Sequence, residues 1–237
     1  MKRKSGTIIT LISMLLCTIS VYAASSAPIK KSSSTTATGL VTEKYELLPD
    51  AIQDDFENRG WEIHIVPEKE LHKEHLLLGE VPPVGQILGG VTVGIENRIY
   101  LNDGVADLSM NHEMGHYVDM VLLGNSGSAP SNTQEFIDIY QTEKGGFGDS
   151  YPKSDAHEYF AETFSLYIEY PGDLKKTFPK TYEYMDRIIS PYGGTRMGLR
   201  KMTKEEKEQR DKSGILHYLG TKDRGTEEYG KKREAYQ

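Results

Sequence analysis

The sequence predicts an α+β domain, and three observations carry that expectation. Strand-like runs, Trp61 to Val66, Gln86 to Ile95 and Arg98 to Asn102, lie in the first half of the chain. After Asp103-Gly104 the hydrophobic period changes from two to that of a helix. The later segments with a clear period are all helical, and no segment repeats another.

Residues 1–23 read as an export signal. Lys2, Arg3 and Lys4 precede an apolar stretch from Thr7 to Leu16, and Val21-Tyr22-Ala23 places small residues where a signal peptidase inspects them. That stretch is too short to span a bilayer, so no membrane association is expected after cleavage. The single cysteine, Cys17, lies inside the signal, and Leu16 stands where a lipid-attachment site wants a small residue. The mature chain therefore uses neither disulfides nor thiolates, which suggests an extracellular protein of a Gram-positive bacterium. Losing three cations and no anion leaves 25 Lys+Arg against 35 Asp+Glu, a charge of about −10 that disfavours nucleic acid as a partner.

Residues 24–42, rich in Ser, Thr, Ala and Lys, read as a flexible leader. A short helix is expected from Leu48, with Pro49 in its first turn, Leu48, Ile52 and Phe56 inward, and Gly60 as its end. Trp61, Ile63 and Ile65 then share one face of a strand stopped by Pro67. Positions 72–80 are ambiguous between helix and strand, and Pro82 and Pro83 break what precedes them. Glu96-Asn97 reads as a hairpin turn, with Arg98 to Asn102 the expected sheet edge beside a cleft. Met110, Met114, Val118 and Val121 recur on one side of a helix closed by Gly124. Further helices are expected over 133–144, 156–170 and 181–189, with Pro171-Gly172 stopping the second. The folded domain is expected over 43–200, followed by a charged tail over 201–237.

The chemistry concentrates in His112-Glu113-Met114-Gly115-His116. Residues four apart lie on one face of a helix, so His112 and His116 present two imidazoles to one metal ion. Glu113 sits beside them, where a carboxylate takes a proton from an activated water. A catalytic zinc wants three protein ligands and one open position. A third histidine ten residues after His112 is absent, since that position is Leu122. The helix bearing Glu158 and Glu162 offers two acids on one face, one to bind and one to hydrogen-bond a ligand imidazole. On spacing alone, His157 and Asp155 compete with Glu158 for the third place. Asp119, one turn after His116, is a further candidate to orient a ligand histidine. His64, His72, His75 and His217 lack metal-ligand spacing.

The HExxH motif combined with Glu158-Tyr159-Phe160-Ala161-Glu162-Thr163-Phe164 resembles the catalytic domain of anthrax lethal factor and the related Pro-Pro endopeptidases. The resemblance runs over roughly 45–192. It implies a zincin-like fold, Glu158 as third zinc ligand, and Glu162 as its partner behind the ligands. It also implies that Tyr151, seven residues before Glu158, points its hydroxyl at the scissile carbonyl, where it would serve as oxyanion donor. Pro-Pro endopeptidases carry a tryptophan-bearing loop before the active-site helix, whereas residues 82–109 contain no tryptophan.

The expectation is thus a secreted, monomeric zinc endopeptidase with one zinc per chain, acting on protein or peptide. Its rival is a non-catalytic binding or adhesion module on the same scaffold.

Overall fold

The structure, a computed structural model, describes residues 27–77, 87–124, 128–147 and 151–213. The signal over 1–23 and His217 therefore lie outside the described residues. Among the described residues, four strands form one mixed sheet in the order β1-β2-β4-β3: β1 (Ile29–Ser32), β2 (Glu62–Val66), β3 (Gly90–Val93) and β4 (Arg98–Asn102). β2 runs parallel to both β1 and β4, and β3 closes the sheet antiparallel to β4. The fold is α+β, as the change of period predicts.

Alternation along the strands divides the sheet into two faces. Ile63, Ile65, Ile99 and Leu101 are buried in the main core under the helices. Val66, Val91, Val93 and Tyr100 face the other way and pack with Leu71 of α3 (Glu68–Leu77) and with Leu88. The ambiguous stretch over 72–80 is thus helical as far as Leu77.

The expected leader and the expected sheet edge need correction here. The segment over 24–42 is not a flexible leader through its length. From Ile29 it supplies β1, and Thr35–Tyr45 forms α1, capped by the Ser34 side chain on the Ala37 N–H. Val41 and Tyr45 are fully buried, and α1 packs on the helix that carries the HExxH motif. The pairing of β1 with β2 is made by backbone groups, to which the polar composition Ile-Lys-Lys-Ser is no obstacle. The second correction concerns the sheet edge. β4 is paired on both sides, and the edge strand on that side of the sheet is β3, with β1 at the opposite edge.

The helix predicted from Leu48 is α2 (Asp50–Asn58), with Leu48, Ile52 and Phe56 fully buried. The β3–β4 turn closes through Asn97, whose φ of 53° is the left-handed conformation that asparagine tolerates well. Behind the sheet stand α4 (Ala106–Tyr117), α5 (Gln134–Glu143), α6 (Ala156–Glu169), α7 (Pro171–Thr177) and α8 (Pro179–Ile189). A π-type turn over Val118–Leu122 prolongs α4. α6 stops at Glu169, just before Pro171-Gly172, as the sequence predicts, and Pro171 has a second role. It starts α7, where a missing N–H costs nothing.

The domain also extends past residue 200. The Gly172 N–H donates to Arg200 O at 2.8 Å, and the Met202 N–H to Asp173 Oδ2 at 2.6 Å. Met202 is buried, Arg200 pairs with Glu206, and α9 (Lys204–Ser213) follows.

Candidate active site

α4 is the central helix of the molecule, packed between α1, α6 and β3. Its start is set by Asn102 at the end of β4. The Asn102 amide donates to Leu88 O at 2.9 Å while its carbonyl oxygen accepts the Gly104 N–H at 3.0 Å, turning the chain into the helix. Met110 and Met114 anchor the helix in the core, which leaves His112 and His116 one turn apart on another face. Their ring centroids are 5.0 Å apart.

α6 brings the third group. Its N-cap is Asp155, whose Oδ1 accepts the N–H groups of His157 and Glu158 at 2.8 and 2.9 Å. This fixes Glu158 in the first turn, facing α4. The two helices approach closely because one of them has no side chain at the crossing. A methyl group on Gly115 would lie 2.6 Å from Ala161 Cα and 2.8 Å from Ala161 O. Ala161 sits between Glu158 and Glu162 in sequence, so the small-residue contact sets how far both acids stand from the histidines.

The resulting distances have a chemical meaning. Glu158 Oε2 is 3.2 Å from His112 Nε2, and Glu158 Oε1 is 3.6 Å from His116 Nε2. Ligand atoms about 2.1 Å from a tetrahedral zinc stand about 3.4 Å from one another. The cluster brackets that value, and its three ligand atoms all lie within 4.8 Å. Glu158 Oε2 is buried and lacks a hydrogen bond, although the His112 ring nitrogen is near. Close approach without hydrogen-bond alignment suits two ligands directed at a common third point, so the donor set fits a metal ion.

Electrostatics point the same way. Burial alone would lower the His112 pKa, but Glu158, Glu162 and Glu113 outweigh it and hold the imidazole well above its ordinary range. For His116 burial is likewise overcome, chiefly by Glu158. Burial would raise the Glu158 pKa, yet His116 and His112 hold it well below the usual carboxylate range. A buried anion beside two imidazoles is a cation-binding arrangement.

Glu162 lies behind the ligands, fully buried, with Oε2 3.1 Å from His112 Nδ1. A carboxylate there favours the tautomer with hydrogen on Nδ1 and turns the Nε2 lone pair toward Glu158. Glu113 is directed to β3: Thr92 Oγ1 donates to its Oε2 at 2.7 Å.

Other sequence candidates sit elsewhere. Asp119 does not reach a ligand histidine. Its carboxylate accepts the Ser131 N–H and hydroxyl at 2.9 and 2.6 Å and lies 3.1 Å from His157 Nδ1. The π-type turn after Tyr117 accounts for this, because it departs from the α-helical register that Asp119 would need to stand behind His116. His157 is held in that cluster, with the hydrogen bond it gives to Asp119 raising its pKa, and Asp155 is occupied as a cap. Among the described residues, the group able to hold a metal is His112, His116 and Glu158. Tyr151 opens a one-turn 3-10 segment, Tyr151–Lys153, and its side chain lies outside the described residues. His64 and His72 pair with Glu62 and Glu68, away from this cluster. Sequence reading missed Gly90, Thr92 and Ser131, which no spacing rule connects to the motif.

The family model for the anthrax toxin lethal factor N- and C-terminal domain matches residues 61–188, more than half of the chain. The chain belongs to the lethal factor family. It is 30% identical over 167 residues to a Pro-Pro endopeptidase of Paenibacillus alvei, an alignment covering 62% of this chain and 75% of that protein. It is 31% identical over 129 residues to the lethal factor of Bacillus anthracis, covering 51% of this chain but only 15% of that longer protein. Its fold is similar to the solved structure of the Paenibacillus alvei Pro-Pro endopeptidase PPEP-2. There the TM-score is 0.54 at 25% identity, and the match covers 68% of this chain and 97% of that one. This member of the lethal factor family is a metalloendopeptidase with the α+β, zincin-like fold of its relatives.

Proposed function

We propose that the chain is an exported zinc endopeptidase holding one zinc per chain between His112, His116 and Glu158. The observation carrying this reading is the convergence of their ligand atoms within 4.8 Å, with Glu162 buttressing His112 from behind. Zinc there supplies Lewis acidity, acidifying water and polarising a peptide carbonyl. Glu113 takes the proton of the attacking water and passes it to the leaving amine. Tyr151 donates a hydrogen bond to the carbonyl oxygen as charge builds on it, a role resting on its match to the family pattern. Glu162 holds the His112 tautomer throughout.

An extended peptide has a place to lie. β3 pairs with β4 on one side, and its Gly90 and Thr92 face Glu113. A substrate strand on the other side of β3 would gain main-chain hydrogen bonds beside the general base. The relative's name makes peptides with a central Pro-Pro pair the first substrates to try. The lack of tryptophan over 82–109 makes a different preference an equally informative result. The signal over 1–23 supports export, and no helix among the described residues is long and apolar enough to cross a membrane. The charge of the mature chain, about −10, argues against nucleic acid as a partner, and a monomer is the expected state.

Metal analysis of the purified protein and a peptide-library digest read by mass spectrometry test this reading. About one zinc per chain is expected, with cleavage that disappears in Glu113→Ala while zinc is retained. A chain without zinc and without cleavage would instead be a binding module on this scaffold. Full activity in Glu113→Ala would remove the assignment of the base.

A further inference from the structure

β3 presents two residues to the catalytic helix, and both act on one side chain. Strand alternation sends Val91 and Val93 into the smaller core, so Gly90 and Thr92 face α4. A methyl group at Gly90 would stand 2.6 Å from Glu113 Cγ and 2.7 Å from Oε1. The Glu113 side chain thus occupies the space that any other residue at position 90 would fill. Two positions along, Thr92 Oγ1 is 2.7 Å from Glu113 Oε2 and 3.1 Å from the Glu113 carbonyl oxygen. A hydroxyl has one hydrogen to give. The shorter distance and the charge of the carboxylate direct it to Oε2.

We propose that Thr92 is a positioning residue for Glu113, with Gly90 supplying the room, so that Oε2 is held and Oε1 is the oxygen that exchanges the proton. This inference rests on Glu113 being the general base. A carboxylate on a flexible side chain has a broad terminal torsion, and holding one oxygen removes that freedom before substrate arrives. Glu113 is only 5% exposed, so bulk solvent offers its carboxylate little in place of the Thr92 hydroxyl. The arrangement also links the base to the strand beside which the peptide would lie. Strand, base and scissile bond then share one frame.

The test uses the purified, zinc-loaded protein and a quenched-fluorescent peptide chosen from the library digest. Thr92→Val keeps the shape and removes the donor. It is expected to lower kcat roughly 10- to 100-fold, with KM and zinc content unchanged. Thr92→Ser restores the donor and should return kcat to within a few-fold of the parent. Thr92→Ala serves as a second hydroxyl-free variant should valine disturb folding. Gly90→Ala should lower kcat with Thr92 intact, since Glu113 is pushed from its place. A crystal structure of the zinc-free Thr92→Val protein gives a readout independent of turnover, with the Glu113 carboxylate expected away from its Thr92-bound position. Parental kcat in Thr92→Val, or a loss that Thr92→Ser does not rescue, overturns the inference. So does a Glu113 carboxylate unmoved in the crystal. If Glu113→Ala is itself fully active, the failure lies instead with the proposed function.

Discussion

Replacing Gly115 by Ala adds one methyl group where α4 and α6 touch. Two effects oppose each other. Alanine in place of glycine inside a helix favours folding by about 1 kcal/mol. Against it, the new carbon would sit 2.6 Å from Ala161 Cα and 2.8 Å from Ala161 O, both backbone atoms with no rotamer to yield. Carbon atoms pack at about 3.5–4.0 Å, so the helices must part by roughly 1 Å. Overpacking of this kind costs about 1–3 kcal/mol, which cancels or exceeds the helix gain. The sharper consequence falls on the site. The separations between Glu158 and the two histidines, 3.2 and 3.6 Å, are measured across that same helix contact. Opening them by about 1 Å takes them past the 3.4 Å or so that tetrahedral zinc requires. Gly115→Ala should therefore leave Tm unchanged or lower it by up to about 8 °C, and weaken zinc binding by about tenfold or more, as judged by titration against a competing chelator. Zinc affinity and kcat equal to the parent's would refute the claim that the Gly115–Ala161 contact sets the ligand spacing.

Glu162→Gln should lower zinc affinity by roughly 10- to 100-fold, because His112 Nδ1 loses its anionic partner; the same chelator competition measures it. Tyr151→Phe should lower kcat by ~10²-fold at unchanged zinc content, and parental turnover would remove its role as oxyanion donor. Stripping zinc with EDTA should lower Tm, since zinc at 100 times its Kd stabilises the fold by about 2.7 kcal/mol. In the zinc-free protein the histidine–glutamate cluster has its own pH signature. The raised His112 and His116 contribute stability present below their ordinary value of 6.5 and lost as pH rises through their folded values. The lowered Glu158 contributes stability present above 4.5 and lost as pH falls through its folded value. The Tm gap between parent and Glu158→Gln in EDTA should therefore be widest between about pH 4.5 and 6.5, and a gap that grows toward alkaline pH would contradict this.

Several elements were legible because their signals are local. α2, β2 and α4 follow from apolar spacing alone, as Ile52 and Phe56, Ile63 and Ile65, and Met110 and Met114 are all fully buried. The edge of the sheet was not legible. β3 and β4 both alternate, and which of them meets β2 depends on pairing across residues 66–98, which periodicity does not encode. Asp119 was misread for a related reason. Counting one turn on from His116 assumes an α-helix, and the chain there widens into a π-type turn.

What the sequence determined by itself is the set of groups on each helix face. Positions four apart place His112 with His116 and Glu158 with Glu162 whatever the rest of the chain does, because helical geometry is local. Family resemblance then selected Glu158 over His157 and Asp155. Only the tertiary structure decided which faces meet and how closely. It brought α6 onto α4 through Gly115 and Ala161, and it turned His157 away to Asp119 and Ser131. It also put Thr92 against Glu113 and drew a polar segment, Ile29–Ser32, into the sheet. Those contacts join residues far apart in the chain through backbone pairing and close packing, and such interactions leave no period in the sequence from which to read them.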